Sequence, residues 1–368
     1  MRSLKPLLVV LLTLTGAGVS AQFRKYSNEF LNIGTGARAM SMGNAQVASV
    51  SDGTAGYWNP AGLAYVKDNP QLNLMHAEYF AGIGKYDYGS LAIPVNGGKR
   101  TLGLSLLRFA VDDIPNTLYL VQPDGSINFD LITTFSAADY AFLFSLAQQE
   151  KLGEHRLVSF GVNAKIIHRT AGSFASAWGF GFDAGLQYEN RNLKLGVVAR
   201  DVTTTFNAWS YTLSEQDREQ FYVTNNDIPT KSTELTAPQL LLGGSYNIRL
   251  NKSLSLLAEA NLNLTFDGKR NTVFSSQAVS IDPRLGLEVA FKKAFFVRAG
   301  INNIQQALDE NDSTNKAKLW IYQPSIGAGF RISGVEIDYA FTNLANQSSP
   351  LYTNIFSLKF DLKKKAKK

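Results

Sequence analysis

Few residues of this 368-residue chain have types and spacing suited to covalent or metal chemistry. There is no cysteine, which removes disulfides, thiol catalysis and thiolate-held metals. The three histidines, His76, His155 and His168, do not form a spaced metal pair. A nucleophile-base-acid set assembles in space and not along the chain, but no motif for one surrounds them. The acidic stretch DENDSTN (309–315) lacks the glycine and distal glutamate of an EF-hand loop and reads as solvated. GTGARA (34–39) matches the dinucleotide pattern G-x-G-x-x-A, which has meaning only between a core strand and a helix in a βαβ unit. Here only EFLNI precedes it, so it reads as a turn of small residues. The expectation is a non-enzyme, with no catalytic residue, cofactor or metal.

What the chain does carry is alternation. In AWGFGFDAGLQYEN (177–190), Trp178, Phe180, Phe182, Ala184, Leu186 and Tyr188 fall on one face of a strand. Gly179, Gly181, Asp183, Gly185, Gln187 and Glu189 fall on the other. The first face, aromatic at both ends, suits lipid with its two interfacial girdles, and the second would make a poor soluble core. The same alternation recurs in SLSLLAEANLNLTF (253–266), RLGLEVAF (284–291) and GVEIDYAF (334–341). Fourteen such segments are read, at 70–80, 86–95, 100–109, 137–147, 155–168, 177–189, 192–202, 236–249, 252–266, 282–292, 294–303, 321–332, 334–343 and 352–362. Most have the ~10 residues that a tilted membrane strand needs.

The connections set the class. Tight turns at NR (190–191), LNK (250–252), KK (292–293) and SG (333–334) alternate with long polar loops at 203–235, 267–281 and 304–320. Short turns on one side and long loops on the other are the mark of an outer-membrane barrel with its long loops outside the cell. The expected fold is all-β: a 14-stranded antiparallel transmembrane β-barrel over 67–362, in contact with outer-membrane lipid.

The ends have other roles. Residues 1–21, with Arg2 and Lys5, the apolar run LLVVLLTL and the small-x-small VSA, read as a secretory signal peptide. The net charge is +6, and it falls to +4 without Arg2 and Lys5 and to −1 without the five lysines of KKKAKK (363–368). The basic balance therefore belongs to a periplasmic tail, and nucleic acid is excluded as a partner.

Fourteen strands enclose a lumen too wide for wall side chains alone to fill. Residues 22–66 are rich in Gly and Ala and too poor in bulky apolar residues for a core of their own. They read as an N-terminal hatch inside the lumen. Gly34, Gly36 and Gly43 let backbone approach the wall, with Gly179, Gly181 and Gly185 making room for it. Asn59-Pro60 is a turn, followed by Ala61, and Tyr57, Trp58 and Leu63 anchor it. Arg38 is the one charge amid this small-residue run and needs a partner, with Asp183 or Glu259 as candidates for a structural latch.

The stretch FLNIGTGARAMSMGNAQVASVSDGTAGYWNPAGLAYV (30–66) resembles the N-terminal signature of the PorV/PorQ family. That resemblance implies the FadL-like architecture, a fourteen-stranded outer-membrane barrel whose hatch bears an Asn-Pro-Ala motif, here Asn59, Pro60 and Ala61. It also implies a role in type IX protein secretion, with partners among the secretion-system proteins or the C-terminal domains of cargo. The wider FadL group implies the alternative, transport of hydrophobic small molecules through the barrel. In the loop 203–235, Trp209, Tyr211, Phe221 and Tyr222 are aromatics that strands do not need and read as an outer contact surface or a lid.

Overall fold

The computed structural model describes residues 27–79, 82–308, 318–342 and 353–362. The expected signal peptide, the start of the expected hatch segment (22–26), the whole acidic stretch DENDSTN (309–315) and the lysine tail lie outside the described residues. One sheet dominates. β1 (Gln71–Tyr79), β2 (Gly84–Val95), β3 (Arg100–Asn116), β4 (Thr133–Lys151), β5 (Arg156–Ala171), β6 (Ala175–Asn190) and β7 (Leu193–Arg200) follow one another in the wall. After an excursion come β10 (Gln239–Arg249), β11 (Leu254–Thr265), β13 (Ser280–Phe291), β14 (Phe295–Leu308), β15 (Lys318–Ile332), β16 (Val335–Thr342) and β17 (Thr353–Asp361). β17 then pairs with β1, setting Leu74 opposite Leu358 and closing the sheet. The molecule is a closed antiparallel barrel of fourteen strands, and each of the fourteen segments read from alternation is one of them.

The alternation has the physical consequence expected of it. On β6, Trp178, Phe180, Phe182 and Leu186 are exposed on the outside, while Asp183 and Gln187 are buried inside. β13 repeats this, with Leu285, Leu287, Val289 and Phe291 outside and Glu288 inside. A closed ladder with an apolar exterior leaves no strand edge to satisfy, which is what hydrocarbon demands of a spanning sheet. Towards the long-loop end the outer face turns polar and aromatic in one row. Tyr339, Phe356, His76, Asp87, Arg108, Tyr140, His168 and Trp178 are successive cross-strand partners around more than half of the wall. Such a row suits an interfacial girdle.

The long loops hold more regular structure than the sequence reading gave them. β3 and β4 run out to Asn116 and back from Thr133, well beyond the ends of the segments 100–109 and 137–147 read from alternation. The segment 203–235 contains β8 (Thr205–Tyr211), a helix and β9 (Ser232–Thr236). A two-residue strand, β12 (Phe274–Ser275), pairs with β13. β7 stops at Arg200, and β8 resumes the ladder against the outer half of β6. Between them Asp201 and Thr204 take positive φ, 55° and 57°, and the Asp201 side chain turns inward. Gly179 and Gly181 serve this detour rather than the hatch: a Cβ on either would strike Asn207 or Thr205 of β8. Only Gly185 of the three meets the N-terminal segment.

Residues 27–66 lie inside the barrel. They form short helical turns, including α1 (Ala37–Ser41) and α2 (Ala55–Trp58), and a 3-10 stretch over Pro60–Tyr65. α1 touches β14 to β17, and the 3-10 stretch touches β3 to β6. The lumen is two-sided. Towards β1–β5 the wall offers apolar side chains, among them Tyr86, Leu107, Leu143 and Ile167, which form one core with Trp58 and Leu63. Towards β6 and β10–β15 it offers glycine and polar groups. The sequence reading recognised only this second kind of inner face.

Candidate functional site: the N-terminal segment and the basin above it

The N-terminal segment is held by backbone-close contacts, and glycine is what permits them. A Cβ on Gly300 would stand 2.1 Å from the Gly43 nitrogen, and one on Gly161 would stand 2.2 Å from the Pro60 carbonyl carbon. Gly34, Gly36 and Gly43 of the segment itself have φ of 110°, 84° and 61°, where a side chain is strained. The Gly43 amide donates to Ser325 Oγ at 3.0 Å and the Gly36 amide to Met75 Sδ at 2.9 Å. The Gly34 amide donates to Tyr57 Oη at 3.0 Å.

The Asn-Pro-Ala turn is one of the points at which the segment is fixed to the wall. Asn59 Nδ2 donates to Val47 O at 3.0 Å within the segment and to Leu186 O of β6 at 3.1 Å. Its Oδ1 accepts from the Ala61 amide at 3.2 Å, capping the 3-10 stretch that Pro60 opens. Trp58 is fully buried, donates from Nε1 to Thr35 O at 2.9 Å and meets Tyr57 edge-on at 4.9 Å. Ala61 is fully buried as well.

Arg38 is a latch to the wall, but not to the partners expected. It pairs with Glu288 of β13 at 2.8 Å. Glu288 also takes Arg298 of β14, which crosses β15 to Asp338 of β16 at 2.5 Å. Gly329 on β15 makes that crossing possible, since a Cβ there would sit 2.1 Å from Asp338 Oδ1. The chain of charges continues through Glu336 to Lys359, and Lys359 reaches Asp52 of the N-terminal segment at 3.6 Å. Burial raises the Asp52 carboxyl, but Lys359 and the two bonds from Thr54 outweigh it and hold Asp52 below the ordinary range. Asp183 and Glu259 are occupied elsewhere: Asp183 binds Lys165 at 2.8 Å, and Glu259 accepts from the Ala48 amide at 2.8 Å. Lys165 also reaches Asp201 at 2.5 Å, so the β7 detour supplies a carboxylate that no sequence spacing announces.

Above the segment, at the long-loop end, lies a basin of about 380 Å³. Its floor is Ile33, Met40 and Asn44 of the segment, and its walls are the ends of β11 and β13–β17 with the loop carrying Arg270. β14 is bulged here, the register slipping between Asn302 and Gln305 with Asn303 at φ 50°. Bulges of this kind re-aim side chains beside sites. The sequence reading did not find the basin.

No protein-family model matches the chain, and no curated protein matches it. Solved structures do. The toluene transporter TbuX of Ralstonia pickettii superposes with a TM-score of 0.55 at 11% identity, covering 89% of this chain and 98% of its own. The toluene transporter TodX of Pseudomonas putida gives 0.54 at 12%, with 93% and 100% covered. The monoaromatic hydrocarbon channel CymD gives 0.55 at 12%, with 90% and 98% covered. The fold is shared with these transporter and channel barrels.

In this fold the remaining sequence candidates scatter. Trp209 on β8 is half-buried, with the Arg169 guanidinium 5.2 Å from its ring, and it stacks on Tyr211 at 6.5 Å. Phe221 and Tyr222 sit on a helix of the excursion between β7 and β10, α3 (Glu215–Val223), where Phe221 is half-buried and Tyr222 is 73% exposed. The four do not form one patch of rings. His76 and His168 lie on the outer face, His76 bonded to Asp87 at 2.7 Å and His168 stacked on Trp178 at 4.2 Å. His155 lies at a turn between β4 and β5.

Proposed function

We propose that the protein is a gated transport barrel of the bacterial outer membrane. The basin receives a small solute from outside, and the N-terminal segment acts as the hatch beneath it. The observation that carries this reading is the stacking of the two: a solute-sized basin opens at the long-loop end, and its floor is the segment itself. The long loops then face the exterior and the short turns the periplasm. The fold supports the reading, since the neighbours TbuX and TodX are toluene transporters and CymD is a monoaromatic hydrocarbon channel. The test is solute flux into liposomes holding the purified barrel. Faster entry through an Arg38→Ala variant than through wild type supports a hatch, and equal absence of entry through both defeats it.

A second reading follows from the resemblance of residues 30–66 to the PorV/PorQ family: a barrel of the type IX secretion apparatus that docks cargo or translocon components. One observation favours it. The loop after β3 leaves Ile127 and Phe129 exposed, at 60% and 70%, beside α3 with its exposed Tyr222. α3 is tied to that loop by the Tyr119–Asp217 hydrogen bond, so a partner could meet the exposed apolar side chains of the loop and the helix together. Extraction of the loop-tagged protein in mild detergent separates the readings. Stoichiometric recovery of a large translocon barrel supports docking, and recovery of the lone barrel with small molecules bound supports transport.

A further inference from the structure

The chemistry of the basin differs from what a hydrocarbon carrier needs. Of the twenty-two residues that line it, eight are asparagine or glutamine and six are serine or threonine. Only Ile33, Met40 and Ile304 are aliphatic. Sites for apolar ligands are lined mostly by apolar and aromatic side chains. A hydrocarbon seated here would strip water from amides and hydroxyls and offer nothing back.

The charges of the basin are already spent. Arg270 is paired with Glu29 at 3.2 Å and with Asp267 at 2.6 Å, and Arg284 is paired with Asp282 at 3.1 Å. Two arginines thus face three carboxylates, which leaves neither cation of the lining free for an anionic solute. What remains on offer is a dense field of neutral donors and acceptors. A side-chain amide presents both in one plane, and a hydroxyl presents both on one atom.

Three deeply buried lining side chains of the strand ends also have an oxygen without a partner, as do Asn44 on the floor and Asn302 at the β14 bulge. The Oδ1 of Asn263 and the Oγ1 of Thr265 and Thr342 have no hydrogen bond among the described residues, and each side chain is more than nine-tenths buried. Buried polar oxygens ordinarily have one. All three belong to the strand ends that form the basin wall, and the β14 bulge adds Asn302 and Gln305 to the same wall.

We propose that the basin binds a neutral, polyhydroxylated solute, of the size of a mono- or disaccharide. The inference rests on the transport reading for its biological sense but names the ligand class independently. Each hydroxyl of such a solute donates and accepts, as each amide of the wall does. Ile33 and Met40 on the floor fit the C–H face of a sugar ring. The volume of about 380 Å³ falls within the ~300–1,000 Å³ of small-molecule sites.

The test is calorimetric titration of the detergent-purified barrel with glucose, maltose, cellobiose and N-acetylglucosamine, and in parallel with decanoate and toluene. At least one saccharide is expected to bind, and Gln323→Leu and Thr342→Val are each expected to weaken it tenfold or more. Ser210→Ala, on the exposed outer face of β8, serves as the control and leaves binding unchanged. Both variants are checked for unaltered heat resistance, and Gln323→Glu offers a second change that keeps a polar group in place. Binding of decanoate or toluene with none of the four sugars overturns the proposal, as does sugar binding that neither basin variant alters. Flux in liposomes separates this from the transport reading. Decanoate flux without sugar binding sinks the ligand class alone, whereas sugar binding without flux of any solute sinks transport alone.

Discussion

Arg38 grips both oxygens of Glu288, through Nε at 2.8 Å and Nη2 at 3.2 Å, while Arg298 donates to one of the same oxygens at 2.7 Å. One carboxylate of the wall thus serves a cation of the N-terminal segment and a cation of the neighbouring strand. The arrangement sets an asymmetry between the two arginines. Removing Arg38 leaves Glu288 still paired. Removing Arg298 strands Glu288's second contact and Asp338 together, in a region shielded from water. Arg38→Ala is expected to cost about 1–3 kcal/mol, and Arg298→Ala about 3–5 kcal/mol. Heat denaturation in detergent reads both. Chymotrypsin cleavage within 27–66, which holds Phe30, Tyr57 and Trp58 but no basic residue other than Arg38, should rise for Arg38→Ala ahead of any loss of the barrel. An Arg38→Ala protein that melts and digests like wild type would remove the latch from the argument.

Glycine positions in the wall give a sharper contrast. Gly161 and Gly300 have the backbone of the N-terminal segment where a Cβ would go, at 2.2 and 2.1 Å. Backbone cannot rotate aside as a side-chain tip does, so Gly161→Ala and Gly300→Ala must push the segment or the strand. Overpacking of this kind costs about 1–3 kcal/mol or more. Gly153 has nothing within 4 Å of its Cβ position and no positive φ, and Gly153→Ala should be neutral. The check is the melting temperature of the three variants side by side. Equal melting of Gly300→Ala and Gly153→Ala would mean the segment does not dock as described.

How far these features were legible in the chain follows from their range. β6 could be read because its two faces differ at every second residue, and burial against lipid or lumen is a local pattern. The turn at Asn59-Pro60 could be read because its chemistry is local too. The partner of Arg38 could not, because Glu259 and Glu288 are both inward carboxylates and only the docked position of α1 chooses between them. The return of the chain as β8 was missed because Asp201-Val202-Thr203-Thr204 has no glycine or proline to mark a break, the positive φ falling on Asp201 and Thr204. The apolar half of the lumen was missed because Leu107 and Ile167 lie in strands whose opposite faces are also apolar, with Leu102, Leu104 and Leu106 on β3 and Phe160 and Val162 on β5. The basin is built from asparagine, threonine and glutamine near strand ends, residue types that mark any loop and carry no signal singly.

Asp52 makes the hold on the segment sensitive to acid. Lys359 and Thr54 lower its pKa in the folded state against the opposing effect of burial. A depressed carboxyl pKa adds stability that is complete above the unfolded value, about 3.9, and is lost as pH falls through the folded one. The tie between Asp52 and Lys359 therefore holds at neutral pH and weakens in the acid range below about pH 4. Asp52→Asn should lower the protease resistance of residues 27–66 at pH 7 and flatten its dependence on pH in that acid range. A variant whose resistance matches wild type at pH 7 would show that the Lys359 contact does not secure the segment.

The helix α3 offers a prediction at the rim, where the docking reading places its contacts. Ser214 and Asp217 form a reciprocal cap: the Ser214 hydroxyl accepts from the Asp217 amide at 3.1 Å, and Asp217 Oδ2 accepts from the Ser214 amide at 2.8 Å. The other oxygen of Asp217 accepts from Tyr119 Oη at 2.5 Å, and Gln220 Nε2 donates to Val121 O at 2.6 Å. The Tyr119 bond, with the bonds from Ser214, holds the Asp217 carboxyl below its ordinary value despite partial burial. One aspartate thus starts the helix and docks it on the loop after β3. Ser214→Ala removes the cap alone, at about 1 kcal/mol, whereas Tyr119→Phe removes the dock and leaves the cap. Asp217→Asn weakens both and should expose 212–231 to protease most. None of the three touches the wall, so the barrel's melting temperature should stay within about 2 °C of wild type, since surface changes act within about 0.5 kcal/mol globally. If rim contacts bind a partner, Tyr119→Phe and Asp217→Asn should each reduce its recovery from mild detergent, while Ser210→Ala on the outer face of β8 should not. Equal recovery with all of them would free the rim of that role.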